Sequence, residues 1–113
     1  MVEGIVSFGD FQKLDLRVAK IKKVEAIEGA DKLWKMQVDV GELGERTICA
    51  GIKEHYSEDE LVDKKIIIVA NLEPRKLRGV ESKGMLLAAV AGDDENIVLV
   101  TVDKDVKSGV RVS

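Results

Sequence analysis

Residues 14–27, LDLRVAKIKKVEAI, decide the fold class because they read as one long, bent β-strand. Their apolar positions change side-chain parity twice, in three successive sets: Leu14, Leu16 and Val18; Ala19 and Ile21; Val24 and Ala26. Parity flips where a β-bulge inserts an extra residue, and strongly bent strands of small barrels carry such bulges. The sequence therefore predicts a curved first strand.

Four further segments are predicted as strands. Residues 34–40 alternate between apolar and polar side chains, the pattern of a half-buried strand, and the glycines of the loop 41–44 lead into a returning strand over 46–50. Residues 65–70 are apolar without alternation, which indicates a strand buried on both faces, and 84–91 form another apolar strand. Short Val-, Ile- and Leu-rich blocks of this kind favour an all-β fold.

Two short helical segments are also predicted. Asp10 can cap a single turn over Phe11 to Leu14, and Ser57-Glu58-Asp59-Glu60 matches a capping box that begins a short helix. The order of three strands, a helix and two strands is that of the OB-fold, a five-stranded Greek-key barrel. We therefore predict an all-β fold with one short helix, an OB-fold barrel plus extra C-terminal strands.

The OB-fold places two connecting loops beside its ligand face, and here both contain basic residues. These are the loops 28–33 and 71–83. They carry Lys32, Arg75, Lys76, Arg78 and Lys83. Because this fold binds oligonucleotides at that face, the five side chains are candidate phosphate ligands. The alternative is that they belong to a solvated surface loop with no binding role.

Composition limits the classes of protein that this chain can represent. With 113 residues, 45% of them hydrophobic and 35% charged, residues 1–113 fit a single globular domain. No segment approaches the roughly 18 apolar residues of a membrane span, and no secretory leader is visible, so a cytoplasmic protein is expected. Since Cys49 is the only cysteine and His55 the only histidine, no disulfide, metal or cofactor is expected.

The charges are distributed unevenly along the chain. The formal net charge is −3, but residues 64–88 contain six basic and two acidic side chains, whereas 39–63 contain eight acidic and two basic ones. A ligand near the basic segment responds to that local patch because salt screens charges beyond about 8–10 Å. Asparagine and glutamine are scarce beside abundant lysine and glutamate, a balance typical of proteins that work at high temperature.

The C-terminal part contains apolar residues that a five-stranded barrel cannot hold inside. The run 97–102 is apolar on both faces, and Ile5, Val6 and Phe8 add to it near the start, as do Val110 and Val112 near the end. Exposed apolar strands favour aggregation unless they are covered, and a symmetric homodimer is the commonest cover. The alternative is that the tail folds back over the chain's own barrel.

Three sequence blocks together resemble the structure-specific tRNA-binding domain. They are DFQKLDLRV at 10–18, GADKL at 29–33 and, most specifically, NLEPRKLRGVESKGMLLA at 71–88. That family occurs as the C-terminal domain or separate small subunit of methionyl-tRNA synthetase, as a free tRNA-binding protein, and in the endothelial-monocyte-activating polypeptide. The resemblance covers nearly the whole chain.

The resemblance implies a homodimeric OB-fold that recognises the shape of tRNA and has no catalytic activity of its own. It adds Asn71, Ser82, Gly84 and Met85 to the basic candidates. The expected tRNA-binding residues are therefore Lys32, Asn71, Arg75, Lys76, Arg78, Ser82, Lys83 and Met85. In the synthetase setting the partner would be the methionyl-tRNA synthetase catalytic chain. A chaperone-like secretion protein shares the barrel, so a protein-binding homodimer is the alternative function.

Each of the residues added by the resemblance also has a structural interpretation. Asn71 can form a turn at a strand end, Ser82 can bond its own backbone, and Met85 can belong to the core. Trp34 and Phe11 look like core positions, which disfavours sequence-specific binding of single-stranded RNA and favours recognition of shape and backbone.

An enzyme is the competing class, and the sequence supports it poorly. No motif pairs Cys49 with His55 as nucleophile and base. The stretch GVESKG, residues 79–84, lacks the spacing and ending of a phosphate-binding loop. The acidic turn 93–95 is read as solvated rather than as a cation site.

Overall fold

Antiparallel strands are the main secondary structure of the computed structural model, which describes residues 4–93 and 95–113. The helices are α1 (Phe8–Gln12) and α2 (Glu58–Leu61), and a single 3-10 turn spans Gly41–Leu43. The strands are β1 (Leu16–Ile27), β2 (Ala30–Asp39), β3 (Glu45–Ala50), β4 (Lys65–Val69), β5 (Arg75–Leu77), β6 (Val80–Ser82), β7 (Met85–Leu86), β8 (Ala88–Ala91), β9 (Asn96–Leu99) and β10 (Arg111–Val112).

The main sheet wraps into an OB-like barrel with the strand order β3-β2-β1-β4-β7. Its interior is filled by fully buried side chains, the largest of which are Ile21, Met36, Ile48, Leu61, Ile66 and Ile68. The predicted fold class is confirmed, with one correction to the closed barrel. In the described residues, β3 and β7 are the two ends of the strand order and are not paired as neighbouring strands. A backbone hydrogen bond of 2.9 Å, from Lys83 N just before β7 to the Thr47 carbonyl of β3, lies where the two ends meet.

Strand β1 is curved as predicted, but only one of its two parity changes is a bulge. The register with β2 shifts between Ile21 and Lys23, which returns Val24 to the barrel interior. The earlier change, between Val18 and Ala19, has another cause. Ala19 faces the barrel core, whereas Val18 faces a second apolar cluster on the outer side, so the strand is buried on both faces.

The second cluster is covered by the chain's own tail. Leu16, Val18, Ile67 and Val69 form its centre, and the residues packed over them are Leu87, Val102, Val106 and Val112. Strand β10 pairs with the start of β1, and the Lys65 ammonium bonds the Val106 carbonyl and, at 2.7 Å, Asp105. For Val102, Val106 and Val112 the alternative, a tail that folds back over its own barrel, is therefore correct, whereas Val98, Val100 and Val110 stay exposed.

Both short helices form, although the first lies further upstream than predicted. Ser7 rather than Asp10 caps α1, and the Ser7 hydroxyl accepts from Asp10 N at 3.0 Å. Phe11 is 41% exposed, so its expected place in the core is wrong. The capping box of α2 is confirmed by reciprocal bonds between Ser57 and Glu60 of 3.3 and 2.8 Å.

The segment after β4 departs most from the predicted elements. The expected loop 71–83 contains the β5–β6 hairpin, and the expected strand 84–91 splits into β7, which pairs with β4, and β8, which pairs with β9. The separate β8–β9 hairpin takes up part of the apolar tail. Within the described ranges, no helix is long and apolar enough to cross a membrane.

Candidate nucleic-acid interface

The cationic side chains of the 71–83 segment project from a tight hairpin. We call residues 75–82, which comprise β5, β6 and their turn, the basic hairpin. Its central turn residues, Arg78 and Gly79, have φ of 52° and 81°, the pattern of a type I′ turn that matches strand twist. Arg75, Lys76 and Arg78 are all exposed, so the hairpin presents three long cations to solvent.

Ser82 fixes the basic hairpin against β3. Its hydroxyl accepts a hydrogen bond from Cys49 N at 3.0 Å and donates one to the Gly84 carbonyl at 3.1 Å. Only 3% of Ser82 is exposed. Its side chain therefore has no free face for a ligand, and the contact role expected from the sequence is corrected to a positioning role.

Gly84 explains why the signature around Ser82 contains a glycine. Its φ is +133°, and a Cβ at this position would lie 3.1 Å from the Val69 carbonyl oxygen of β4. Side chains rarely adopt that backbone conformation, and the neighbouring backbone cannot yield easily. Gly84 thus lets the chain leave the hairpin and join the barrel at once, which brings Met85 to the surface beside it, 44% exposed.

The two predicted ligand loops meet in the structure. Residues 29–33, which lie at the β1–β2 turn and the start of β2, line a shallow groove of about 270 Å³ together with the Arg78 side chain. Lys32 lies on the exposed side of β2 at this groove. The expectation that Lys32 and the 71–83 segment share one surface therefore holds, because Arg78 reaches the 29–33 turn from the tip of the hairpin.

One lysine that the sequence reasoning missed extends this surface. Lys53 N donates to the Lys32 carbonyl at 3.2 Å, and the Lys53 ammonium lies 5.0 Å from the centre of the Trp34 ring. Lys53 lies in the acidic segment 39–63, and no sequence feature there marks it as part of a basic surface. A contact between residues 21 positions apart is not encoded by local pattern.

Two acidic side chains lie near these cations: Glu81 is the cross-strand partner of Lys76, and Asp31 lines the groove with Lys32 and Arg78. Lys83 pairs with Glu81 at 3.7 Å, and both side chains are about half exposed, so the pair is weak. In the described part of the chain, no carboxylate oxygen lies within 4.0 Å of the charged nitrogens of Lys32, Arg75, Lys76 or Arg78. These four cations are available to a phosphate ligand.

Asn71 ties the end of β4 to the approach to β1. Its carbonyl oxygen accepts from Asp15 N at 2.8 Å, and its amide nitrogen donates to the Lys13 carbonyl at 2.6 Å. Both ends of the side-chain amide are therefore engaged within the protein. The structural interpretation left open by the sequence accounts for these contacts.

Cys49 lies beneath the basic hairpin as a buried apolar residue rather than a reactive one. It is buried, and this burial raises the pKa of its thiol, while the positive charge of Lys35 acts in the opposite direction. A thiol with a raised pKa is a poor nucleophile at neutral pH. No group of three potential metal ligands occurs among residues 4–93 and 95–113.

Comparison with known proteins identifies the family. The model of the family described as "Putative tRNA binding domain" matches residues 16–111. The methionine–tRNA ligase of Pyrococcus horikoshii is 56% identical over 107 residues, which is 95% of this chain and 14% of the ligase. The crystal structure of a MetRS-related protein from Pyrococcus horikoshii superposes with a TM-score of 0.89 at 40% identity, covering 96% of this chain and 98% of that one.

A chaperone has the same fold. The crystal structure of the chaperone CsaA from Bacillus anthracis superposes with a TM-score of 0.89 at 26% identity, and the match covers 97% of this chain and 100% of the chaperone.

The chain spans only 14 to 17% of the length of the methionine–tRNA ligases it matches, and the matched part is their tRNA-binding module rather than their catalytic region. Since the family model covers residues 16–111, the chain belongs to the tRNA-binding domain family as a non-catalytic module.

Proposed function

We propose that the chain binds folded tRNA by its shape and its sugar–phosphate backbone, without reading base sequence. The observation that carries this proposal is the single groove shared by Lys32 and Arg78, with the other exposed cations of the hairpin beside it. The proposed contacts are Lys32, Arg75, Lys76, Arg78, Lys83 and Met85. Asn71 and Ser82 hold the surrounding backbone in place.

The chemistry of these side chains suits the backbone of A-form RNA. Folded tRNA presents phosphates and 2′-hydroxyls at fixed spacings across a wide, shallow minor groove. Arginine can donate two parallel hydrogen bonds to one phosphate, whereas lysine acts as a mobile point charge. If about four or five phosphates are neutralised, the slope of log affinity against log salt is about −3 to −4. A slope near zero would contradict the electrostatic mechanism.

Charge reversal at the hairpin tests the assignment. The double variant Arg75→Glu/Arg78→Glu should weaken binding of mixed tRNA at least tenfold in a gel-shift titration, because two phosphate ligands become repulsive. The melting temperature should hardly change, since both side chains are exposed. The matched control is Lys104→Glu/Lys107→Glu, an equal charge change on exposed residues of the tail. Equal affinity of the two double variants would contradict the proposal.

A chaperone-like protein-binding function is the second candidate. It is favoured by the similarity to the chaperone CsaA, which covers both chains almost completely. The discriminating measurement is competition between tRNA and an unfolded polypeptide for the same chain. Strong polypeptide binding without tRNA binding would support this candidate and contradict the first.

The setting of the module is also part of the proposal. Phe8, Phe11 and Val110 stay exposed, and Phe8 and Phe11 line a cavity of about 450 Å³ together with Val112, which supports a homodimer that covers this surface. Sedimentation at rising concentration should show a dimer, and Phe8→Asp/Phe11→Asp should shift it to a monomer. A monomer at every concentration would contradict the dimer.

Three further parts of the setting rest on composition and on the relatives. The similarity to methionine–tRNA ligases supports work in the cytoplasm and association with the catalytic chain of such a ligase. A pull-down with that catalytic chain tests the association. The scarcity of amides beside abundant lysine and glutamate supports function at high temperature, and a melting temperature below about 65 °C would contradict it.

A further inference from the structure

An apolar slot lies beside the basic hairpin. Its volume is about 380 Å³, and it runs over β3 between the basic hairpin and the β8–β9 hairpin. The side chains that define it are Leu33, Leu77, Met85, Val90 and Ile97, with Arg75 at its edge. We call this the apolar slot. A volume of this size falls within the range of small-ligand sites.

Two apolar side chains that line the slot are largely exposed to solvent. Val90 is 55% exposed on β8 and Met85 is 44% exposed on β7. Val90 pairs with Ile97 across the hairpin, so both side chains point to the slot face, whereas Val98 pairs with Ala89 on the opposite face. Exposed apolar side chains around a concave surface mark sites of interaction, so we infer that the slot binds a ligand.

The position of the charges identifies the chemistry of that occupant. Leu33 lines both the groove of Lys32 and Arg78 and the apolar slot, so the two sites adjoin at this residue. Arg75 adds a guanidinium at the slot edge, where it can stack on a flat ring. A ligand that suits both parts must be anionic at one end and flat and apolar at the other. A nucleotide has that form, since its phosphate and its base are joined through one sugar.

We propose that the apolar slot receives one unstacked nucleobase of the bound RNA while Lys32 and Arg78 hold the adjoining phosphates. This inference rests on the proposed function and deepens it. The slot residues are aliphatic and offer no row of polar side chains to a base edge, so any base fits and sequence is not read. The domain then prefers RNA with a base turned out of the stack, as at the corners and loops of folded tRNA, over an uninterrupted duplex.

The test compares three RNAs that share one duplex sequence and have the same charge per nucleotide. The first is a blunt duplex, the second the same duplex with one unpaired nucleotide, and the third carries an abasic residue at that unpaired position. The wild-type chain should bind the second RNA about tenfold more tightly than the other two. Equal affinity for the second and third RNAs would overturn the proposal, because backbone flexibility alone would then explain the preference.

A matched pair of variants assigns the preference to the slot. Val90→Glu and Val98→Glu add the same charge to exposed valines of one hairpin, but on opposite faces. Val90→Glu should abolish the preference for the unpaired base, and Val98→Glu should keep it. The near-isosteric Val90→Thr, which preserves charge and fold, should reduce the preference in the same direction. Equal behaviour of Val90→Glu and Val98→Glu would overturn the proposal.

The outcomes also separate this inference from the function on which it rests. If all three RNAs bind equally, yet Arg75→Glu/Arg78→Glu still weakens tRNA binding, the slot proposal fails and the proposed function stands. If no RNA binds at all, both fail. If an unfolded apolar polypeptide binds the wild type but not Val90→Glu, while the RNAs show no difference, the slot proposal is overturned in favour of a peptide site.

Discussion

Two hairpins flank the candidate interface, and they are held in place by opposite kinds of contact. The basic hairpin is fixed through polar bonds, with the buried Ser82 hydroxyl joining it to Cys49 of β3. The β8–β9 hairpin is fixed mainly through apolar packing, since Leu99 is only 7% exposed within the barrel core. One hydrogen bond, from Leu99 N to the Tyr56 hydroxyl at 3.1 Å, accompanies this packing. Their exposed surfaces differ in the same way, since the basic hairpin exposes cationic side chains and the β8–β9 hairpin exposes aliphatic ones.

This difference indicates a division of roles between the two hairpins. Charge acts over several ångströms, responds to salt and attracts any nucleic acid. Apolar contact acts only at van der Waals distance and depends on shape. The basic hairpin should therefore supply most of the affinity, and the β8–β9 hairpin should supply discrimination between kinds of RNA.

The largest effect is expected where the β8–β9 hairpin enters the core. Leu99→Ala should lower the free energy of unfolding by about 3 kcal/mol, because it removes a buried leucine and leaves a cavity. The neighbouring Val98→Ala, at an exposed position, should cost less than about 0.5 kcal/mol. Denaturant unfolding measures both values. Similar costs for the two variants would show that apolar packing does not anchor this hairpin.

A somewhat smaller effect is expected at the glycine that ends the basic hairpin. Gly84→Ala should cost about 2–3 kcal/mol, because it adds backbone strain and a close contact with the Val69 carbonyl. Gly29→Ala is the matched control, since Gly29 also has a positive φ, +79°, but has open space around its Cβ position. It should cost about 1 kcal/mol. Equal costs in thermal unfolding would remove the contact as a cause.

Removal of the Ser82 hydroxyl tests the polar anchor directly. Ser82→Ala should cost about 1–2 kcal/mol, because Cys49 N–H loses its partner in a buried place. It should also weaken tRNA binding, since the hairpin is no longer held against β3. The control Ser7→Ala removes an exposed helix cap of α1 and should leave tRNA affinity unchanged. Unchanged tRNA affinity in Ser82→Ala would contradict the positioning role.

The smallest effect is expected from mild acid, which acts outside both hairpins. Hydrogen bonds from Ser57 lower the pKa of Glu60, and the hydrogen bond and charge of Lys65 lower the pKa of Asp105. A carboxyl with a depressed folded-state pKa stabilises the fold above its unfolded pKa, about 4 for these groups, and this contribution is lost as pH falls through the lower folded value. The free energy of unfolding should therefore decline below about pH 4.

A pair of neighbouring variants tests the acid effect. Asp105→Asn should remove part of the decline, and Asp103→Asn, two residues away along the tail, is the control because it keeps the Lys65–Asp105 contact. A decline that is identical in both variants would exclude the Lys65–Asp105 contact as a source of acid sensitivity.

The elements with a clear local pattern could be predicted from the sequence. The alternation of 34–40, the unbroken apolar run of β4 and the capping box at Ser57 all appear in the structure as expected. The sequence predicts a loop in place of the basic hairpin, because Arg78-Gly79 is not the usual Asn-Gly or Asp-Gly signal of a type I′ turn. It predicts one strand over 84–91, because an apolar segment without a period does not reveal where the chain changes sheet.

The remaining features depend on contacts between distant parts of the chain. The buried Ser82 hydroxyl accepts a hydrogen bond from Cys49 N, and these two residues are 33 positions apart in the sequence. The apolar tail could be covered by a partner or by the chain itself, and the choice follows from how Val102, Val106 and Val112 fit the outer face of β1 and β4. The sequence reveals that such side chains need cover, but not which surface provides it.

The Ser82 anchor gives the basic hairpin a fixed distance from the barrel wall before any ligand arrives. The conformational entropy of ordering this arm is lost when the protein folds, and it need not be lost again on association. The backbone positions from which the cations extend are then held at fixed separations, which favours RNA of matching phosphate spacing. An RNA whose phosphates are spaced differently must deform to fit these separations, so the stiffness of the RNA itself becomes part of selectivity.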